Sequence, residues 1–175
     1  ARIRYAYCLD RHLADLYFLV GSELASPPMV SRATFREWIV PYAKELISMT
    51  HEGGGRVIQH YHGQIAEILE DFLEMAPDGL HTIEAPPVGN CTLDHAFAVT
   101  ENRIALIGNI QYDEFRSMTP DEMRAAVRAV LDEVDGRPFI LSPSAGPYEP
   151  TISERMQENY LAFIDAGWEY GAGRS

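Results

Sequence analysis

Arg56-Val57-Ile58-Gln59-His60-Tyr61-His62-Gly63 is the stretch on which the fold turns. An apolar run of strand character, 56–60, stops at two histidines and a glycine, and a helix-like pattern follows. Short apolar runs that end in turn residues and lead into a helix are the units of a parallel sheet. The unit recurs on both sides. Upstream, 15–20 reads as a strand closed by Gly21, and 22–32, with Pro27 and Pro28, reads as a loop. Residues 34–49 have helical spacing, with Phe35, Trp38, Ile39, Tyr42, Leu46 and Met49 on one side. Pro41 lies inside this helix and predicts a kink.

Downstream, 65–75 carries an apolar stripe of Ile65, Ile68, Leu69, Phe72 and Leu73 beside Glu67, Glu70, Asp71 and Glu74. Pro77-Asp78-Gly79 stops this helix. A short strand at 80–83 ends in Glu84, and a Pro86-Pro87 turn leads to a short helix at 92–99. The strand at 103–107 ends in Gly108-Asn109. A long helix at 119–134 opens with Thr119 as N-cap, Pro120 in the first position and Glu122 completing a capping box. A strand at 137–141, a loop at 142–147 and a last helix at 153–166 follow.

The order is βα repeated five times, which implies a parallel sheet covered by helices. No glycine fingerprint for a dinucleotide and no phosphate-loop motif follows any strand. A doubly wound sheet fits this order, and a (β/α)8 barrel of the TIM type fits it better. Polar residues recur at successive strand exits: Gly21-Ser22-Glu23, His60-Tyr61-His62, Glu84, Gly108-Asn109 and Ser142-Pro143-Ser144. Barrel active sites gather at that face. Residues 1–175 are therefore expected to be the C-terminal part of one barrel domain, supplying its last five βα units. Roughly three units are expected before Ala1, in a longer protein or on a complementary chain that covers the sheet edges.

Composition narrows the function classes. The 175 residues carry 26 acidic against 14 basic side chains, a formal net charge of −12, which argues against a general nucleic-acid surface. Cys8 and Cys91 are too few and too far apart for a disulfide or metal-pair signature, and reduced thiols suit a cytoplasmic protein. No apolar run approaches the roughly 20 residues that span a bilayer.

His60 and His62 are two residues apart at a strand exit, where both can address one centre. With Glu84 from the adjacent strand they form a two-His, one-Glu set of the kind that binds zinc or another divalent metal. The alternative is a packed core His60 and a loop His62. Glu84 is also a candidate general acid, or the partner of an arginine. Asn109 is a candidate for holding a substrate carboxylate or carbonyl, or else a turn residue. Tyr112 and Asp113 in the same loop are weaker candidates. Ser142 and Ser144 lack a nucleophile-elbow pattern and suit ligand orientation or capping. His51 and His81 read as surface or packing residues.

From about Asp15 to Trp168 the chain resembles the C-terminal half of the uroporphyrinogen decarboxylase superfamily, which also contains corrinoid-linked and cobalamin-independent methyltransferases. The resembling pieces occur in the family's order. They are 31–41, His60-Tyr61-His62-Gly63, Ile83-Glu84-Ala85-Pro86, Gly89-Asn90-Cys91-Thr92-Leu93, Ile107-Gly108-Asn109-Ile110 and Phe139-Ile140-Leu141-Ser142-Pro143. The resemblance implies a (β/α)8 barrel. Its methyltransferase branch implies zinc, held by a His-x-Cys pair and a later Cys, with a Glu between them in some members. Here His60 matches the histidine, His62 and Ala145 stand at the cysteine positions, and Glu84 stands at the glutamate position.

The resemblance thus implies metal-assisted methyl transfer to a small-molecule substrate, with a corrinoid protein as partner. His60, His62 and Glu84 would be metal ligands, His60, Glu84 and Asn109 catalytic residues, and Ser142 and Ser144 cofactor contacts. The decarboxylase branch implies a cofactor-free lyase acting on a tetrapyrrole such as uroporphyrinogen. A third expectation is a partial barrel that serves binding or assembly, including homo-oligomer formation.

Overall fold

A computed structural model describes residues 1–172. The elements run α1 (Arg2–Asp10), β1 (Leu16–Leu19), α2 (Arg32–Trp38), α3 (Val40–Glu52), β2 (Arg56–His60), α4 (Leu69–Met75) and β3 (Gly79–His81). They continue with α5 (Leu93–Thr100), β4 (Ala105–Ile110), α6 (Tyr112–Ser117), α7 (Pro120–Val134), β5 (Phe139–Pro143) and α8 (Glu154–Gly171). The strands form one sheet in sequential order, β1-β2-β3-β4-β5, and every neighbouring pair is parallel. A strand paired only with its neighbours in sequence, each return made by a helix, is the construction of a (β/α) barrel. Five strands make an arc of one.

Alternation along the strands separates two faces. Tyr17, Leu19, Val57, Leu80 and Leu106 are buried under the helices, where they join Phe35, Ile47, Phe72 and Phe97. A second cluster, with Ile110, Phe115, Met123, Val127 and Phe163, lies under α6, α7 and α8. Burying each such side chain contributes roughly 1.5–3 kcal/mol. The other residues of the alternation face the concave side that a closed barrel would enclose. Leu16, Phe18, Val20 and Ile140 are exposed there, while Ile58, His60, His81 and Asn109 are half-buried.

The expected elements are present with shifted ends. Pro41 does more than kink: the helix breaks at Ile39 into α2 and α3, and Pro41 takes an early position of the second helix, where its missing N–H leaves no bond unmade. Residues 66–68 form a tighter 3-10 turn ahead of α4. α4 ends on Ala76 in the left-handed conformation, before the expected Pro77 stop. β4 extends to Ile110 and β5 to Pro143, so Gly108-Asn109 and Ser142 lie on strands, not in loops. α6 was not expected. Gln111 and Glu114 form a capping box that starts it in what reads as a loop.

Candidate functional site

Five side chains, Phe18, His60, His62, His81 and Glu84, meet where β2 and β3 end. β2 delivers His60 on the concave side, and β3 delivers His81 directly opposite, since the two are register partners. Their rings stack at 4.9 Å between centroids, and their Nδ1 atoms are 2.7 Å apart, a hydrogen bond. Phe18 of β1 lies 5.5 Å from the His60 ring and 5.7 Å from the His81 ring. His81 Nε2 reaches the Pro143 carbonyl oxygen on β5 at 3.3 Å.

Past the strand ends the β2–β3 pairing continues for one step, with Tyr61 N–H donating to the His81 carbonyl at 2.6 Å and Thr82 N–H to the Tyr61 carbonyl at 2.9 Å. That ordered exit places His62 edge-on to His60, 4.5 Å between centroids. It also brings Glu84 under the Gly63 turn. Glu84 is buried. One carboxylate oxygen accepts the Gly63 N–H at 2.6 Å, and the other is 3.3 Å from His62 Nδ1. Gly89 seals the arrangement: a Cβ there would lie 2.2 Å from the Glu84 carbonyl oxygen and 2.6 Å from that of Gly63, so only glycine lets the three backbones pass.

The electrostatics differ sharply between the two neighbouring histidines. Burial, with the adjacent His62 and His81, depresses the His60 pKa to about 4. Its ring is neutral near pH 7 and keeps a lone pair. The hydrogen bond to Glu84 outweighs burial at His62 and raises its pKa above the ordinary histidine value. Burial alone would raise the Glu84 pKa, but its bonds to His62 and Gly63 overcome that and hold it below the usual value. Burial lowers the His81 pKa.

Glu84, expected as the third ligand, is held by two neighbours within the chain. Both Glu84 oxygens are engaged within the protein, and among the described residues no group of three His, Cys, Asp or Glu side chains is arranged to hold a metal ion. Two imidazoles do fit as donors. His60 and His62 each engage Nδ1 with a protein partner, and neither Nε2 is hydrogen-bonded among the described residues. An imidazole whose second nitrogen is held by a carboxylate or another acceptor is the usual form of a metal-ligating histidine. Glu84 holds the Nδ1 side of the His62 ring.

The other candidates spread along the same rim. Asn109 lies on the concave side of β4, with its side-chain oxygen buried and without a hydrogen-bond partner, and Ser142 is its register partner on β5. The Ser142 hydroxyl donates to the Pro143 carbonyl at 3.0 Å. Ser144 is buried and accepts the Tyr112 N–H at 3.1 Å. Of the two roles open to it, orienting a ligand or capping, it fills the second. Tyr112 starts α6 and donates its hydroxyl hydrogen to Glu149. Asp113 lies in the first turn of α6. His51 lies at the opposite end of the sheet, 2.7 Å from Asp78. Cys91 is in the core, and burial pushes its thiol up to about 11.

His81 is the residue that sequence reasoning missed. Its signal is register: a histidine at the end of one strand and another at the end of the next fall opposite each other once the sheet is in register.

The family model described as "Uroporphyrinogen decarboxylase (URO-D)" matches residues 14–169. No curated protein matches the chain. Among solved structures, a methyltransferase from Methanosarcina mazei superposes with a TM-score of 0.74 at 23% identity, covering 97% of this chain and 46% of its own. The chain thus spans less than half the length of that structure.

Proposed function

This chain belongs to the uroporphyrinogen decarboxylase family, and on that premise we propose that it forms the imidazole-bearing half of a barrel enzyme for metal-assisted methyl transfer. The observation that carries the reading is the pair of unengaged Nε2 atoms on His60 and His62, each ring fixed at Nδ1. The methyltransferase from Methanosarcina mazei lends the reading its reaction class through a shared fold.

His60 and His62 would hold zinc or a comparable divalent ion, with the remaining ligands from substrate, water or another part of the barrel. The ion would supply Lewis-acid activation of the methyl acceptor. The chain's own residues do the rest. Glu84 fixes the His62 ring and, through Gly63, the turn that carries it. Asn109 offers its unpartnered amide oxygen to a donor group of the substrate. Phe18 screens the two stacked imidazoles from water on one side. Ser142, next to Asn109 on the rim, is a further ligand contact in this reading, and a corrinoid protein is the proposed methyl donor.

Metal analysis of the purified protein tests the proposal. Bound zinc that is lost in both His60→Ala and His62→Ala supports it. A protein that binds no divalent metal sinks it.

A second reading rests on the His62–Glu84 pair. With its raised pKa, His62 can stay protonated beside the carboxylate. In a cofactor-free decarboxylation the carbon–carboxylate bond breaks, carbon dioxide leaves, and the carbon keeps the electron pair and takes a proton from His62 Nε2. Turnover of uroporphyrinogen by metal-free protein, lost in His62→Ala, would select this reading over the first.

A further inference from the structure

We propose that His81 is a positioning residue that fixes the ring tautomer of His60 so that His60 Nε2 faces the concave side as a bare lone pair. The proposal follows from a chain of three polar groups that crosses the arc from β2 through β3 to β5. At one end is the Pro143 carbonyl, which can only accept. His81 Nε2, 3.3 Å away, must therefore carry the hydrogen.

A neutral imidazole has one N–H, so His81 Nδ1 is then an acceptor. The Nδ1 atom of His60, 2.7 Å away, must donate to it. His60 has then placed its one hydrogen on Nδ1, and its Nε2 has none. The reverse assignment, with His81 Nδ1 donating to His60, sets a bare His81 Nε2 against the Pro143 oxygen, acceptor against acceptor. That arrangement forfeits one hydrogen bond and leaves two partly buried acceptors facing each other.

The Nδ1–H form is the less favoured tautomer of a free histidine side chain, so His60 needs a partner to hold it. The partner's own identity is fixed in turn by a backbone carbonyl that cannot change protonation state. Among the described residues, the ring pairs and hydrogen bonds of the His81 side chain are with His60, Phe18 and the Pro143 oxygen. Glu84 performs the corresponding service at His62 Nδ1. The two reactive imidazoles are thus served by different kinds of partner, a carboxylate for one and a neutral imidazole for the other. A neutral partner adds no negative charge behind His60.

The inference rests on the reading of His60 as the group that meets metal or substrate, but the tautomer can be measured without activity. Nitrogen NMR of the purified protein near neutral pH distinguishes a pyrrole-type from a pyridine-type nitrogen at each ring position. The expected result is Nδ1–H for His60 and Nε2–H for His81, with a scalar coupling across the Nδ1–Nδ1 hydrogen bond. In His81→Leu, His60 should revert to Nε2–H. In His81→Asn, the side-chain oxygen sits near the former Nδ1 and should keep His60 in the Nδ1–H form.

A wild-type His60 with hydrogen on Nε2 overturns the proposal, and so does an unchanged tautomer in His81→Leu. If His81→Leu does not fold, the wild-type spectrum and His81→Asn still decide. Failure to bind metal with the expected tautomers in place would remove the methyl-transfer reading and leave the role of His81 standing.

Discussion

His60 and His62 stand two residues apart, and their surroundings push them in opposite directions. His60 falls from 6.5 to about 4 when the chain folds. The unfolded chain therefore takes up that proton first, and stability drops as pH falls from about 6.5 towards about 4. His62 has the opposite sign. Its pairing contributes fully below the ordinary histidine pKa and is lost as pH rises through the raised value. The Glu84 contribution is present above the ordinary carboxylate pKa and is lost as pH falls through its depressed value. Thermal melts of His60→Gln across the acid range should show a shallower loss of stability between pH 6.5 and 4 than wild type. In Glu84→Gln, an NMR titration should find the His62 pKa lowered, because a neutral amide no longer stabilises the imidazolium; an unchanged value would remove Glu84 as its cause. At this scale the sequence was informative about location and weaker about role. Two histidines at a strand exit and a glutamate at the next are visible in the sequence itself. That Glu84 spends both oxygens on the protein depends on the turn at Gly63, which spacing alone does not encode.

At the scale of elements, the ties between helices matter as much as their apolar faces. Asp71 of α4 is fully buried and meets two arginines of α2. Arg32 Nε lies 2.9 Å from one carboxylate oxygen, and Arg36 bonds the other. Each arginine also reaches an exposed glutamate, Glu70 or Glu74. Asp71→Ala should destabilise the fold by about 3 kcal/mol in urea unfolding, since it leaves a guanidinium pair against a vacated buried site. The exposed partners should matter far less, so Glu70→Ala should change stability by about 1 kcal/mol or less. Gly89→Ala belongs here too. Its new methyl group would collide with two backbone carbonyls, so the variant should lose stability and shift the amide resonances of Gly63 and Glu84 together. Strongly periodic helices such as α7 were legible, down to the Thr119–Glu122 capping box that the structure contains. α6 was not, because Gln111 replaces the usual Ser, Thr or Asp and six residues leave little periodicity to read. Asp71 was legible only as a polar residue beside an apolar stripe. Its two arginine partners lie on α2, 35 and 39 residues earlier in the chain.

For the whole molecule, the sequential parallel sheet was predictable from five alternating strand and helix patterns, and the arc is what five of eight barrel units must give. The partial barrel fits a missing half or a partner chain. The concave face leaves Leu16, Phe18, Val20 and Ile140 exposed, and β1 and β5 are open edges. Apolar surface next to open strand edges promotes association. The 175-residue chain by itself should therefore self-associate in sedimentation velocity, and Phe18→Asp with Ile140→Asp should shift it towards monomer. A wild-type chain that stays monomeric at high concentration would count against that expectation. Among the described residues no helix is long and apolar enough to cross a membrane.

The unbroken order β1-β2-β3-β4-β5 has a consequence for how the molecule opens. Each strand bonds only to its neighbours in the chain, so the sheet can fray one unit at a time from either side, as a repeat array does. Amide exchange should be fastest at β1 and β5 and slowest at β3. The imidazole cluster sits on the slow side of that gradient, yet its outermost link is the Pro143 carbonyl on the edge strand. Breathing of that edge would release His81 before the rest of the cluster loosens, and slow exchange at β3 would persist while it does.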